Sequence, residues 1–172
     1  MKLARLRKYY YLRFLRLRGE PHELALGMAF GVFTAMLPII PFHTAFAIAL
    51  AFIFKASKIT SAIGVWVSNP LNWYILYYIN YRIGAFILGL SRDNKGFSSF
   101  MESIRQSEEG MALILKIASN SGIIIAAFVI GGLIMGVVAA VPSYFIFLRI
   151  FSFIRAWRRE KRRRKIWREL NQ

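Results

Sequence analysis

Six polar side chains stand inside or beside long apolar stretches, and any binding chemistry of this chain would depend on them. They are Glu23, His43, Asn69, Asn72, Asn80 and Arg82. Polar and ionisable groups are costly inside a bilayer and are therefore functional candidates by default. A histidine can exchange a proton or contact a phosphate, and the planar fork of an arginine fits phosphate oxygens. These residue types predict binding of an anionic group.

Structural roles are open for several of these residues. His43 follows a proline pair and could bond a backbone carbonyl that a helix break leaves free. Arg82 could face a cavity, which we favour, or extend to a membrane interface. Asn69, directly before Pro70, could cap a helix that starts near Leu71.

The remaining polar residues have similar alternatives. Asn72 and Asn80 are eight positions apart and could share a helix face near Tyr77, as a polar seam or as ligand contacts. Glu23 in a first helical turn would interact favourably with the helix dipole. A pair between Glu23 and Arg82 is a further possibility.

The composition argues against ordinary catalysis. The chain has no cysteine, two histidines and only eight acidic residues among 172. No catalytic dyad or triad, no glycine-rich phosphate loop and no metal-ligand spacing is present. We therefore expect a protein that is not an enzyme, with no catalytic residue, no metal site and no cofactor.

Charge and hydrophobicity are segregated along the chain. Apolar residues make up 57%, yet the formal net charge is +16. Seven basic residues and no acid lie within residues 1–18, and ten basic residues lie within 149–168. Three stretches between these ends carry no charge: Leu24–Phe54, Ile59–Tyr81 and Ile117–Leu148. Since a helix crosses the hydrocarbon core with about 20 apolar residues, this pattern is typical of a membrane protein with basic flanks.

The basic ends indicate a membrane surface and not nucleic acid. Residues 1–20 place apolar side chains on one helix face and basic ones around it, which predicts an interfacial helix on anionic headgroups. Residues 153–172 are expected to form a basic cytoplasmic tail. We find no convincing cleavage site for a signal peptide and take the N-terminus as retained.

Prolines interrupt the first two apolar stretches. Pro38 and Pro41 divide the first, and Pro70 breaks the second. The positive-inside rule places both termini in the cytoplasm of a multi-pass protein of the bacterial inner membrane. The fold class is thus an all-α polytopic membrane protein with broken or re-entrant helices. Its segments are a re-entrant hairpin (21–56), a broken helix and crossing (57–90), a charge-balanced outer loop (91–116) and a transmembrane helix (117–148), within a membrane domain of 21–152.

Two glycine pairs predict close helix packing. They are Gly27 with Gly31 and Gly132 with Gly136, each spaced four apart. Small residues at this spacing let helix backbones approach closely, within one chain or between chains.

The chain resembles a bacterial family at several motifs. These are G-x-P from Gly19, A-x-G-x-A-x-G-x-F from Ala25, P-x-x-x-x-H-T from Pro38, S-N-P from Ser68 and Y-R-x-G from Tyr81. Together they resemble domain-of-unknown-function family 2062 over roughly residues 18–152. The resemblance implies a small inner-membrane protein, sometimes fused to or encoded near glycosyltransferases and envelope-lipid enzymes, with no assigned reaction. Pro41 stands where that family commonly has glycine, which stiffens the break.

Two functions are compatible with these features. We expect non-enzymatic translocation or presentation of an anionic lipid or lipid-linked phosphate at a midplane cavity, because broken helices build such sites in transporters. The alternative is a small membrane subunit that anchors a glycosyltransferase or a lipid-transfer complex. Expected partners are membrane lipids with anionic headgroups, and a second copy or another membrane protein.

Overall fold

The computed structural model describes residues 19–39, 42–69, 72–90, 95–105 and 122–170. Regular structure in these ranges is entirely helical, without a strand, which confirms the all-α class. The helices are α1 (Pro21–Ala35), α2 (His43–Ile53), α3 (Lys58–Gly64) with a 3-10 turn (Val65–Val67), α4 (Trp73–Ile87), α5 (Lys95–Arg105) and α6 (Gly122–Leu170). The interfacial helix expected over residues 1–20 lies almost wholly outside the described residues, as do Pro41 and Pro70.

Helices α1 and α2 form a hairpin. A capping box between Glu20 and Glu23 starts α1, and the helix ends at Ala35, shortly before Pro38. After α2 the backbone N–H of Ser57 donates to the carbonyl oxygen of Glu23 at 3.0 Å. The chain therefore returns to the level at which α1 began, and the first apolar stretch is two helices joined by a bend.

Helix α2 ends in a tight C-terminal cap. The N–H of Ala56 donates to the carbonyl of Ala51 at 2.7 Å, and the N–H of Lys55 to the carbonyl of Phe52 at 3.3 Å. This Schellman geometry requires a left-handed residue, and Lys55 has a φ of 52°. The cap turns the chain directly into α3.

Helix α3 lies against the glycine face of α1. A Cβ on Gly27 would stand 2.2 Å from Thr60 Oγ1, and one on Gly31 would stand 2.2 Å from the carbonyl oxygen of Ser61. The contacts between the two helices follow chain order in both, from Ser57 with Glu23 to Ser61 with Gly31. The two helices therefore run in the same direction. The first glycine pair thus serves packing within the chain.

Helix α6 runs antiparallel to α1. Gly132 lies against the carbonyl of Met36, and Gly136 lies against the ring of Phe33. Further along α6, Arg155 reaches Glu20 at the start of α1. The second glycine pair therefore also packs within the chain.

Helix α4 crosses α6 more closely still. A Cβ added to Gly84 would stand 1.8 Å from the carbonyl oxygen of Ala127. A Cβ added to Gly131 would stand 1.8 Å from the carbonyl oxygen of Asn80. Helix α4 thus runs antiparallel to α6. Placed end to end, α3 with its 3-10 turn and α4 span about 39 Å, close to the roughly 40 Å of residues 122–148.

An aromatic cluster lies near the start of α6, at the end of this helix opposite its basic residues. Phe100 and Phe128 stack with ring centroids 4.0 Å apart, and Tyr81 and Phe97 pack around them. Phe97 and Phe100 belong to α5. The segment 91–116, expected to be a loop, therefore contains an amphipathic helix that buries aromatic side chains.

The predicted transmembrane helix and basic tail form one helix. Helix α6 has 49 residues, about 74 Å, and Pro142 lies inside it. The helix does not end near residue 153, where the basic tail was expected to begin, because the basic residues continue the same helix. Among the described helices, only α6, over Gly122–Lys161, is long and apolar enough to cross a membrane by its length and composition.

Candidate functional site

A buried polar cluster lies at the bend between α1 and α2. The Nε2–H of His43 donates to the carbonyl oxygen of Leu37 at 2.7 Å, and the hydroxyl of Tyr77 lies 3.2 Å from the same nitrogen. The amide of Asn80 donates to the carbonyl oxygen of Met36 at 2.6 Å. Both carbonyls follow the last turn of α1, where helical N–H partners are missing. His43 therefore bonds a backbone carbonyl that the helix break leaves free, which is the structural role expected as an alternative from the sequence.

Asn80 is fully enclosed in this cluster. Its exposed fraction is 0%, and its Oδ1 has no hydrogen-bond partner among the described residues. Its backbone carbonyl lies directly against Gly131. Because α6 closes over this position so tightly, Asn80 fixes the bend of the hairpin against α4 and α6.

The other two asparagines, Asn69 and Asn72, form hydrogen bonds at the second helix break, between α3 and α4. The amide of Asn72 donates to the carbonyl of Val67 at 2.7 Å, and its Oδ1 accepts from the N–H of Asn69 at 2.9 Å. The carbonyl of Asn69 accepts from the backbone N–H groups of Asn72 and Trp73. The helix begins at Trp73, two positions after Leu71, so the residue at its N-cap is Asn72 and not Asn69. Asn72 and the buried Asn80 do not form a common site.

Arg82 and Glu23 lie apart from the polar cluster. Arg82 is exposed, with its guanidinium 6.0 Å from the ring of Tyr78. Two helical positions separate it from Asn80, about 200° around the axis, so both cannot face inward. Glu23 accepts from the N–H of Glu20 at 3.3 Å in the capping box, and within the described chain it forms no pair with Arg82. Among the described residues, Arg82 therefore lies on the outer side of α4, away from Asn80.

An apolar groove lies instead between α1, α2 and α6. It has a volume of about 470 Å³ and no polar wall. Its lining is Leu26, Ala29, Phe30, Phe33, Leu50, Val137, Ala140, Val141, Tyr144 and Phe145. None of the polar residues singled out in the sequence lines it. Sequence reasoning missed the groove because its walls come from three segments whose relative register the sequence does not reveal.

One end of the groove is polar. The hydroxyl of Tyr144 and Nδ1 of His22 are 2.8 Å apart and share a hydrogen bond. Eleven positions further along α6, both guanidinium NH2 groups of Arg155 donate to the carboxylate of Glu20 at 2.7 Å. The hydrogen bond and charge of Arg155 lower the pKa of Glu20, and Glu20 raises the pKa of Arg155. This end lies where α6 changes from apolar to basic residues.

The comparisons with known proteins give one result. A family model described as an uncharacterized protein conserved in bacteria (DUF2062) matches residues 4–163. This range includes the bend, both breaks and every residue that lines the groove. No curated protein and no solved structure matches the chain.

Proposed function

Because the chain belongs to this DUF2062 family, whose description names no activity, we propose a function from the groove. The protein is a non-enzymatic protein of the bacterial inner membrane that binds an anionic lipid or a lipid-linked phosphate and presents or translocates it. The observation that carries this proposal is the apolar groove of about 470 Å³ between α1, α2 and α6. Binding pockets for small molecules have volumes of about 300–1,000 Å³ with mainly apolar walls. An acyl or isoprenoid chain matches these walls.

The exposed surface supports a membrane environment. Only 28% of the most apolar 18-residue segment of α6 is buried inside the protein. Large apolar side chains are exposed on other helices too, including Phe52 at 68%, Trp66 at 80% and Phe86 at 80%. Soluble monomers rarely expose contiguous apolar patches of more than a few hundred Å². In the hydrocarbon core of a bilayer these apolar side chains would not be in contact with water, so their exposure would carry no hydration cost.

The hairpin and the broken helix define the topology that we propose. Residues 122–148 of α6 form one crossing, and α3 and α4 together form the other, in two pieces. The α1–α2 hairpin is re-entrant, because both of its ends lie at the basic end of α6. Its bend would sit at depth, where backbone carbonyls must find partners inside the protein. His43, Tyr77 and Asn80 supply those partners.

Filling the groove tests this function. We expect Ala140→Trp to place an indole in the groove and displace the lipid chain, whereas Val138→Trp changes an exposed neighbour, 61% accessible, outside the lining. Both variants would be extracted in lipid nanodiscs and compared by native mass spectrometry, with helicity measured by circular dichroism. We expect bound lipid on the wild type and on Val138→Trp and its loss from Ala140→Trp. Equal retention by both variants would refute the groove as the lipid site.

Transport is measured separately from binding. Proteoliposomes with a fluorescent anionic phospholipid in one leaflet report its movement to the other. A rate above that of empty liposomes, lost in Ala140→Trp, supports translocation. A rate equal to that of empty liposomes, with lipid still bound, leaves presentation as the function.

The second candidate function is anchoring of a partner protein. The observation that favours it is the helical extension of α6 beyond Leu148, which carries ten basic residues. Gly132 and Gly136 are not available to a partner because they pack against α1. A partner that co-purifies at fixed ratio, and is lost when Arg163 and Arg164 are changed to Gln, would support this function. A monomer in native membranes would argue against it.

A further inference from the structure

A stripe of exposed aromatic side chains runs along the basic part of α6. The exposed fractions of Phe153, Trp157 and Trp167 are 73%, 42% and 61%. Residues spaced alternately by four and three lie on one face of a helix, and these three belong to such a series. Its members, which we call the α6 seam and which lie within an arc of about 80°, are Phe153, Trp157, Glu160, Arg164 and Trp167.

The bilayer does not reach the far part of the α6 seam. In the proposed topology the hydrocarbon core ends near Leu148, and Trp167 lies about 28 Å further along the helix. The headgroup layer adds only about 5–8 Å on each side of the core. With a helix tilt of about 40°, the upper end of the usual range, Trp167 would still stand about 21 Å from the core. The seam therefore extends into water, where an exposed row of aromatic side chains is typical of a protein interface.

The flanks of the α6 seam are basic. Residues 158–168 contain eight basic residues and one acid. On one flank Nζ of Lys161 stands 4.1 Å from the centroid of the Trp157 ring, and the helix period places Arg163 on the other flank. Charges at such flanking positions decide which helices pair. A second copy in the same membrane, or the basic residues 1–18, would add like charge, whereas an acidic helix complements these flanks.

We propose that the α6 seam is the docking surface for an amphipathic helix of a partner protein, with apolar residues along its own seam and acidic residues on its flanks. This inference rests on the second candidate function, anchoring, and does not depend on the groove. The two tryptophans pack into the apolar seam of the partner, and its carboxylates face the basic flanks. The ion pair of Glu160 with Arg164 forms a polar layer between the tryptophans, and such a layer fixes the register of two paired helices.

Binding of a designed acidic helix tests the seam. The full chain is placed in nanodiscs of phosphatidylcholine, and fluorescence anisotropy measures binding of a labelled peptide with leucines at alternate spacings of four and three and glutamates on both flanks. A scrambled peptide of the same composition has the same charge without the apolar seam. We expect the scrambled peptide to bind about tenfold more weakly or worse.

Substitutions that leave the charge unchanged locate the contact. Trp157→Ala and Trp167→Ala should each weaken binding of the seam peptide about tenfold, because buried tryptophans dominate helix interfaces of this kind. The matched control is Ile166→Ala, which changes an exposed apolar neighbour of Trp167 about 140° from the centre of the seam. It should bind within about twofold of the wild type. Circular dichroism checks that all variants keep their helicity.

Four outcomes would overturn the inference. Equal binding of both peptides, or equal binding by the tryptophan variants and Ile166→Ala, would show attraction by charge alone. A labelled RNA that displaces the peptide and requires both tryptophans would assign the seam to nucleic acid. A blue shift of Trp167 emission when phosphatidylglycerol replaces phosphatidylcholine would place the seam on the bilayer.

The inference can fail separately from the two candidate functions. Ala140→Trp, which fills the groove, should bind the seam peptide like the wild type, so loss of the lipid function leaves the seam intact. A partner that co-purifies with the wild type and equally with Trp157→Ala and Trp167→Ala would keep anchoring as a function and overturn the seam as its surface.

Discussion

The contact of Gly131 with the backbone of α4 leads to a quantitative prediction. A Cβ on Gly131 would stand 1.8 Å from the carbonyl oxygen of Asn80, whereas real Cβ contacts are essentially never below 3.0 Å. In Gly131→Ala the two backbones must therefore separate by at least about 1.2 Å. A gap of 0.5–1 Å already removes roughly a quarter to a half of the dispersion energy of an atom pair.

The cost follows from the neighbours of this contact. Asn80 cannot move alone because its amide is bonded to Met36, and the stacked ring of Phe128 lies one turn before Gly131 on α6. Overpacking of a close-packed interior costs about 1–3 kcal/mol. We expect Gly131→Ala to lower the free energy of unfolding by about 2 kcal/mol, or the melting temperature by about 4–8 °C.

The assay is thermal melting in mild detergent, followed by circular dichroism and by tryptophan fluorescence. Gly122→Ala is the control, since nothing lies within 4 Å of its added Cβ. Gly136→Ala should fall between the two because its nearest neighbour, at 2.8 Å, is the ring of Phe33, a side chain that can rotate. If Gly131→Ala melts like Gly122→Ala, the close crossing of α4 and α6 is refuted.

Two further outcomes are expected. Asn80→Leu should lower the free energy of unfolding by about 1–3 kcal/mol, measured by the same melting assay, because the buried carbonyl of Met36 loses its donor. Arg155→Gln should raise the pKa of Glu20 toward its ordinary 4.5, measured by carbon NMR of the carboxyl group. Since the folded-state pKa of Glu20 is lowered, its ion pair stabilises the fold above that ordinary pKa and is lost as the pH falls through the lowered value. An unchanged melting temperature, or an unchanged carboxyl titration, would contradict these expectations.

The sequence predicts where helices stop better than what they face. Proline removes a backbone donor, so a break near Pro38 follows from local chemistry and is visible without any tertiary contact. The close packing at Gly132 and Gly136 also follows from the sequence, because small residues four apart let helix backbones approach closely. The same rule did not reveal Gly84 or Gly131, which pack as single residues against a backbone carbonyl.

The candidate site was less predictable for a geometric reason. Arg82 and Asn80 are close in sequence but lie on opposite sides of α4, and the helix period alone does not say which side faces inward. The pair of Glu20 and Arg155 joins residues 135 positions apart, and only the antiparallel register of α1 and α6 brings them together. The change of composition near Arg149 predicts a separate basic tail, yet lysine and arginine have high helix propensity and the helix continues through them.

The length of α6 has a mechanical consequence. Pro142 donates no N–H to the carbonyl one turn before it, so α6 is easiest to bend at this position, between the groove residues Val141 and Tyr144. From Pro142 to Leu170 the helix is about 42 Å long, and a change of 10° in the bend would displace its tip by about 7 Å. A small change of the bend at Pro142, beside the groove, would therefore move the basic end of α6 much further than it moves the groove residues.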